Sequence, residues 1–352
     1  MYVLSKIYIL PLHIDNKHDE DIKVNFLFLS LKSLVNAMLF SISSIIAIVW
    51  IISNTFYYEQ YFTKAFNLVY APSDVWIMVA FFGFGSNAPL FMITWLMSYI
   101  WSKMKEVTRD PTIPFPSAYL AIFVAPFLQL LAYIFIFFGN YLATYTFMDN
   151  YSNYDNFLNI ILVALFPSII NLLQQPLMGM MFFGLTERIT YLVQKVPSEE
   201  NDVKRKIEIF RKFQNLMNLP IFGLVFMSQI LWIVTMFFSF GLFVGDSKLE
   251  PTTLILSMTG YLFYSLGFLL FLKDMLFKMQ DLNDSREFLK EAVENLNDID
   301  DKRRWFLLRE VERLKPVSGY GLFSAERSTL TSMVSVAITY LIILIQFKMA
   351  VS

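Results

Sequence analysis

The sequence predicts an all-α integral membrane protein with seven transmembrane helices, a cytosolic N-terminus, an extracellular C-terminus and helical cytosolic extensions that form a bundle. Three observations predict it. First, 56% of the 352 residues are hydrophobic, 17% are aromatic and only 16% are charged, where soluble domains carry about 25% charged residues. Second, seven charge-free stretches lie inside Lys32–Glu59, Asp74–Lys103, Asp110–Asp149, Asp155–Glu187, Lys212–Asp246, Glu250–Lys273 and Arg327–Lys348, and each holds at least twenty residues. About twenty apolar residues cross a hydrocarbon core as a helix, and within that core a helix satisfies its own backbone. Third, threading the chain through these spans puts twenty-five of the 28 Lys and Arg residues on one side. Lys64, Lys248 and Lys348 fall on the other. Basic connections stay in the cytosol, which sets the orientation and implies a multi-pass protein of the plasma membrane.

Residues 1–33 form the cytosolic N-terminal segment. Its opening, MYVLSKIYILPLHID, is interrupted by Lys6 and Pro11 and lacks a small-residue cleavage site, so no cleavable signal peptide is expected. Span one covers 34–54. The outer connection after it is crowded with Phe and Tyr, as an interfacial belt or a lid would be. Span two, 75–101, carries Gly83 and Gly85, which allow close helix approach, and Pro89, which predicts a kink. Span three is 117–142 and span four 157–186. Cytosolic helices follow at 187–218, then span five at 219–244 and span six at 252–273.

Residues 274–318 again read as cytosolic helices. Phe288, Ala292, Leu296 and Ile299 step by 4, 4 and 3, and Leu307, Val311 and Leu314 by 4 and 3. Such apolar faces need a partner. The acids Glu287, Glu291, Glu294 and Asp298 argue against docking on an anionic leaflet. The expectation is a packed bundle in which Phe288, Leu296, Leu307, Val311 and Leu314 meet other subunits. The chain closes with 319–352, the seventh helix.

The chemistry of enzymes is missing. There are two histidines, His13 and His18, and no cysteine; the zinc-protease, nucleophile-elbow, P-loop and dinucleotide motifs are absent. No charged side chain sits centrally in a span, which removes the usual anchors of a proton relay or of coupled transport. Neither an enzyme, a cofactor, a metal site nor a nucleic-acid partner is expected. Ligand recognition is expected in the outer halves of spans two to six, where Trp76, Asn87, Gln129, Tyr133, Trp232, Tyr261 and Tyr264 provide aromatic walls and a few polar groups.

The last helix carries the most specific pattern. Ser328, Ser332, Ser335, Thr339 and Gln346, with Ile342 in the gap, step by 4, 3, 4, 3 and 4 and so form one stripe. An unpaired amide facing lipid would cost roughly 2–7 kcal/mol, so the stripe must face protein or water. Spacing alone leaves two roles open: the lining of a pore shared by several copies, or polar glue between helices of one subunit.

The same segment reads Thr339-Tyr340, five apolar residues, then Gln346-Phe347, after a lead-in of Gly321-Leu322-Phe323 and Glu326-Arg327-Ser328. It resembles the closing signature of the insect gustatory receptor family. That resemblance implies a ligand-gated cation channel in which four seventh helices of a homotetramer line a central pore. It also implies a cytosolic anchor that carries most subunit contacts. Carried over by position, Gln346 and Phe347 sit at the gate with Ile343 one turn inside, and Thr339 and Ser335 line the path below. The expected partners are a small-molecule tastant or volatile, permeating cations, the lipid bilayer and further copies of the chain. Two other readings stay open: a non-channel seven-helix protein with a scaffold or trafficking role and, disfavoured by the absent repeats and buried ions, a secondary transporter.

Overall fold

The computed structural model describes residues 12–15, 23–26, 87–104, 107, 118, 120–132, 134–135, 175–176, 178–197, 199–244, 251–296 and 299–351. Span one and the ligand candidates Trp76 and Tyr133 lie outside these residues, as does much of spans three and four.

The first described element is a short strand pair in a fold that is otherwise helical among the described residues. Strands β1 (Leu12–Asp15) and β2 (Lys23–Phe26) pair antiparallel, with Leu12 opposite Phe26 and Asp15 opposite Lys23. Their sequences, LHID and KVNF, alternate apolar and polar residues with the period of a strand. Four residues are too few for that period to stand out in a chain this apolar.

The other described elements are helical. They are α1 (Asn87–Lys103), α2 (Leu120–Ala132, opening with a π-helical turn at Leu120–Val124), α3 (178–194), α4 (Glu200–Val244), α5 (Pro251–Glu294), α6 (Asp301–Glu312) and α7 (Arg327–Val351). Helix α4 has 45 residues and α5 has 44. At 1.5 Å per residue each is about 66 Å long, roughly twice the thickness of a hydrocarbon core. Each also contains a stretch long and apolar enough to cross a membrane, within Glu200–Met236 and Leu254–Glu294.

Both helices run on past the changes of composition at 218/219 and 273/274. The backbone runs through both as unbroken helix, and Pro220 sits inside α4. A proline removes one backbone hydrogen bond, and the packing of α4 against α5, α7 and α1 compensates for that loss. Composition changes at these points while the fold does not.

The core forms where α1, α2, α3, α4 and α5 meet, around Met97, Ile100, Met104, Ile122, Phe182, Phe183, Phe210, Phe213, Phe271, Met275 and Met279. Phe183 meets Phe182 and Phe271 edge-on, with ring centroids 5.4 and 5.8 Å apart. Two buried hydroxyls donate to their own helices, Ser98 to Thr94 O at 2.9 Å and Thr186 to Phe182 O at 2.8 Å, so neither needs an acceptor elsewhere. Lys206 is buried; its amine donates to Lys195 O past the end of α3 and pairs with Asp202, and burial holds its pKa below the usual lysine value.

The bundle around α6 corrects the expected subunit contacts. Leu296, Leu307, Val311 and Leu314 are all buried against their own chain, and only Phe288 of the expected set is exposed. On α5 the buried row is Leu282, Leu289 and Val293, one residue round from the stripe read at Phe288 and Ala292. Glu310 fixes α6 to α4 by accepting from Arg211 at 2.7 Å, and it pairs with Arg313, the residue just past α6, at 3.0 Å. The Arg211 hydrogen bond is first among the causes that hold the Glu310 carboxyl below its usual 4.5. We expect Leu307→Ala to cost about 2–5 kcal/mol and to speed amide exchange across 301–312 within each subunit. Unchanged exchange there, with a smaller oligomer, would return these side chains to an intersubunit role.

Candidate functional site

Helix α7 has two opposed faces. Met333, Ala337 and Leu341 are buried and step by four, which puts them on one side. Ser328, Ser332, Ser335, Thr339, Ile342 and Gln346 lie on the opposite side, and every one is exposed. Among the described residues, no helix of the same chain covers that stripe. Ile343 flanks it at 39% exposure, and Tyr340 is turned further away and exposed as well. Phe347 belongs to α7, with its side chain outside the description. The Ser332 hydroxyl donates to Ser328 O at 3.1 Å and the Thr339 hydroxyl to Ser335 O at 2.9 Å. With their protons committed to their own helix, these oxygens offer lone pairs to whatever faces them. Such a surface suits cations better than anions.

The chain enters α7 through a tight hairpin, where the sequence places the lead-in of the seventh helix. Ser318 pairs with Ser324, and Ala325 N–H donates to Val317 O at 3.0 Å. Tyr320 (φ 53°) and Gly321 (φ 75°) occupy the left-handed region at the tip, as two-residue hairpin turns require. At Gly319 a Cβ would lie 2.5 Å from the Phe323 ring, so any larger residue there would have to displace that ring.

Side chains of α4 and α5 hold this connection through its backbone. Asn283 is buried; its Oδ1 accepts from Val317 N–H at 2.7 Å and its Nδ2 donates to Ala325 O at 3.4 Å, so one side chain reaches both arms of the hairpin. Gln280 Oε1 accepts from Arg327 N–H at 3.2 Å, satisfying a free donor at the start of α7. Arg286 donates to Leu314 O at 2.9 Å and Gln214 to Pro316 O at 3.2 Å. With its amide oriented to satisfy the network, Asn218 donates to Ser318 O at 2.9 Å. Arg327 is a cation at a helix N-terminus, where the dipole disfavours it. Asp281 at 3.5 Å and the Phe277 ring at 4.3 Å offset that. Gln214, Asn218, Gln280, Asn283 and Arg286 were not singled out by sequence. The available signal was spacing: 214 with 218, and 280 with 283 and 286, each group on one helix face.

The ligand candidates divide. Gln129 is buried at the crossing of α2 and α5, beside Gly267, where a Cβ would sit 2.8 Å from Ala125 O and 3.1 Å from Gln129 Cγ. Tyr261 and Tyr264 are buried on α5, and Tyr264 meets Phe268 edge-on at 4.9 Å. Trp232 is buried on a different helix, α4, and Asn87 opens α1. Among the described residues, Gln129 Nε2, Trp232 Nε1, Ser265 Oγ and Gln229 Oε1 are buried polar atoms without a hydrogen-bond partner. No group of three or more His, Cys, Asp or Glu side chains suited to a metal occurs among the described residues.

We expect Asn283→Ala to leave the Val317 N–H and the Ala325 carbonyl short of a partner, at about 1–3 kcal/mol for each buried group. Faster amide exchange at Val317 and a lower unfolding temperature would show it. Wild-type protection at Val317 would show that the hairpin holds without α5.

The family model for the 7tm chemosensory receptor matches residues 204–351. The structure of the insect olfactory receptor OR5 from Machilis hrabei in complex with eugenol is similar to this chain. It has a TM-score of 0.64 at 12% identity, over 98% of this chain and 96% of that one. A second structure of the same receptor gives a TM-score of 0.56 at 14% identity, over the same shares. None of the curated proteins matches this chain.

Proposed function

We propose that the chain is a member of the insect seven-transmembrane chemoreceptors, which the family model over residues 204–351 and the similar fold of the Machilis hrabei receptor support, and that it is a ligand-gated, non-selective cation channel of gustatory type. It is a receptor of the plasma membrane and not an enzyme. In this reading its N-terminus lies in the cytosol and its C-terminus outside. It assembles as a homotetramer around a central pore lined by α7. The observation that carries the reading is the exposed stripe Ser328, Ser332, Ser335, Thr339 and Gln346 opposite the buried face of the same helix. One such helix cannot enclose a pore, but copies around a symmetry axis can. A stripe serving as glue within a subunit would be covered by that subunit.

In this arrangement Thr339 and Ser335 line the conduction path with hydroxyl oxygens. Gln346 rings the gate, and Phe347 or Ile343 seals an adjoining level by dewetting. The ligand lies in the outer halves of the helices, near Gln129, Trp232, Tyr261 and Tyr264, with Trp76, Asn87 and Tyr133 as further wall residues. Gln129 and Trp232 each bring a buried donor that lacks a partner. No charge accompanies them, which favours a small uncharged molecule with acceptor oxygens. The similar Machilis hrabei receptor was solved with eugenol, a ligand of that size class.

The test is electrical. Phe347→Ala should weaken the apolar seal, so that the gate opens and passes current without ligand. Gln346→Glu should reach the surface normally and increase cation selectivity and divalent block. A glue residue would behave otherwise: the unpaired charge would keep Gln346→Glu off the surface. Normal surface levels with wild-type currents in both variants would refute the pore assignment, as a scaffold role requires.

A further inference from the structure

Helix α4 runs beside the entry to α7 with one face. Gln214, Asn218, Phe222 and Gln229 are spaced by 4, 4 and 7 along it, which keeps them in register on a helix. The first three meet the connection: Gln214 at Pro316 O, Asn218 at Ser318 O and Phe222 edge-on to the Tyr320 ring at 6.0 Å. Gln229 reaches α7 itself. Its Nε2 donates at 3.0 Å to Met333 O, a carbonyl within the helix whose second lone pair is free to accept.

Two features make this contact more than packing. Met333 lies on the buried side of α7, opposite the polar stripe, so a bond made there draws the helix toward its own subunit and away from the stripe's side. The carboxamide is also only half satisfied, because its Oε1 is buried without a partner. The unpaired oxygen carries a desolvation cost that the bond to Met333 offsets only in part. One turn along the same helix stands Trp232, so a shift of α4 at Trp232 moves Gln229 with it.

We propose that Gln229 is the positioning residue that couples α4 to the pore helix, its bond to the Met333 carbonyl drawing α7 back from the axis and so favouring the conducting state. This rests on the channel reading above. It requires no ligand for its test, because Phe347→Ala is expected to conduct without one.

Ligand-free current per surface channel is compared between Phe347→Ala alone and Phe347→Ala with Gln229→Met, which keeps side-chain length and removes the donor. We expect the current to fall about fivefold, the equilibrium effect of one ordinary hydrogen bond. Surface amount and oligomer mass should stay unchanged, and Gln229→Leu should repeat the result. An unchanged or larger current with Gln229→Met overturns the inference alone. Loss of both Gln229 variants from the surface would make the residue a folding contact and overturn its positioning role. If Phe347→Ala passes no current, the channel reading fails and takes this inference with it.

Discussion

The placement of α7 depends on hydrogen bonds from α4 and α5 to backbone atoms of the segment 314–333. Asn283, Gln280, Gln214, Asn218 and Gln229 are all carboxamides, and Arg286 adds the one charged donor in the set. Bonds to backbone hold the position of the chain whatever side chains it carries, so the opposite face of α7 is free to vary. Carboxamides suit this task near a membrane boundary. They offer both a donor and an acceptor without the desolvation penalty of a charge.

From that constraint the rest follows in order. The hairpin 317–325 closes on itself, Asn283 pins both its arms, and α7 starts at Arg327 with its first free N–H capped. The helix then rises against α4 and α5 on Met333, Ala337 and Leu341. This leaves a row of hydroxyls and one carboxamide with no partner helix in the described part of its own chain. In water such a row would be an ordinary surface. In the proposed arrangement, where α7 crosses the membrane, it has to meet another copy or a water-filled path.

Much of this was legible in the sequence. Charge-free windows mark the membrane class, and the 4, 3, 4, 3, 4 stepping of polar residues marks the stripe that the structure leaves exposed. Other features were not legible, for physical reasons. Where α4 and α5 pass from apolar to charged composition, helical hydrogen bonding continues without interruption, so a change of composition marks no end of the helix. On α5, Phe288 and Leu289 are both large and apolar. Only contact with α6 decides that Leu289 turns inward and Phe288 outward. The strands at 12–15 and 23–26 are too short for period two to register. The hairpin depends on Tyr320 adopting a positive φ, which its residue type does not announce. Gln280 and Asn283 look like ordinary solvated polar residues until the connection they bind is in place.

Because the chain contains no cysteine, a thiol can be placed at one position of α7 at a time and probed with a charged, membrane-impermeant thiol reagent while current is recorded. The account predicts that current is modified at Ser332, Ser335, Thr339 and Gln346 and left unchanged at Met333, Ala337 and Leu341. Modification with no such periodicity, or protection of the stripe in a protein that conducts, would contradict the claim that this face of α7 lines the pore.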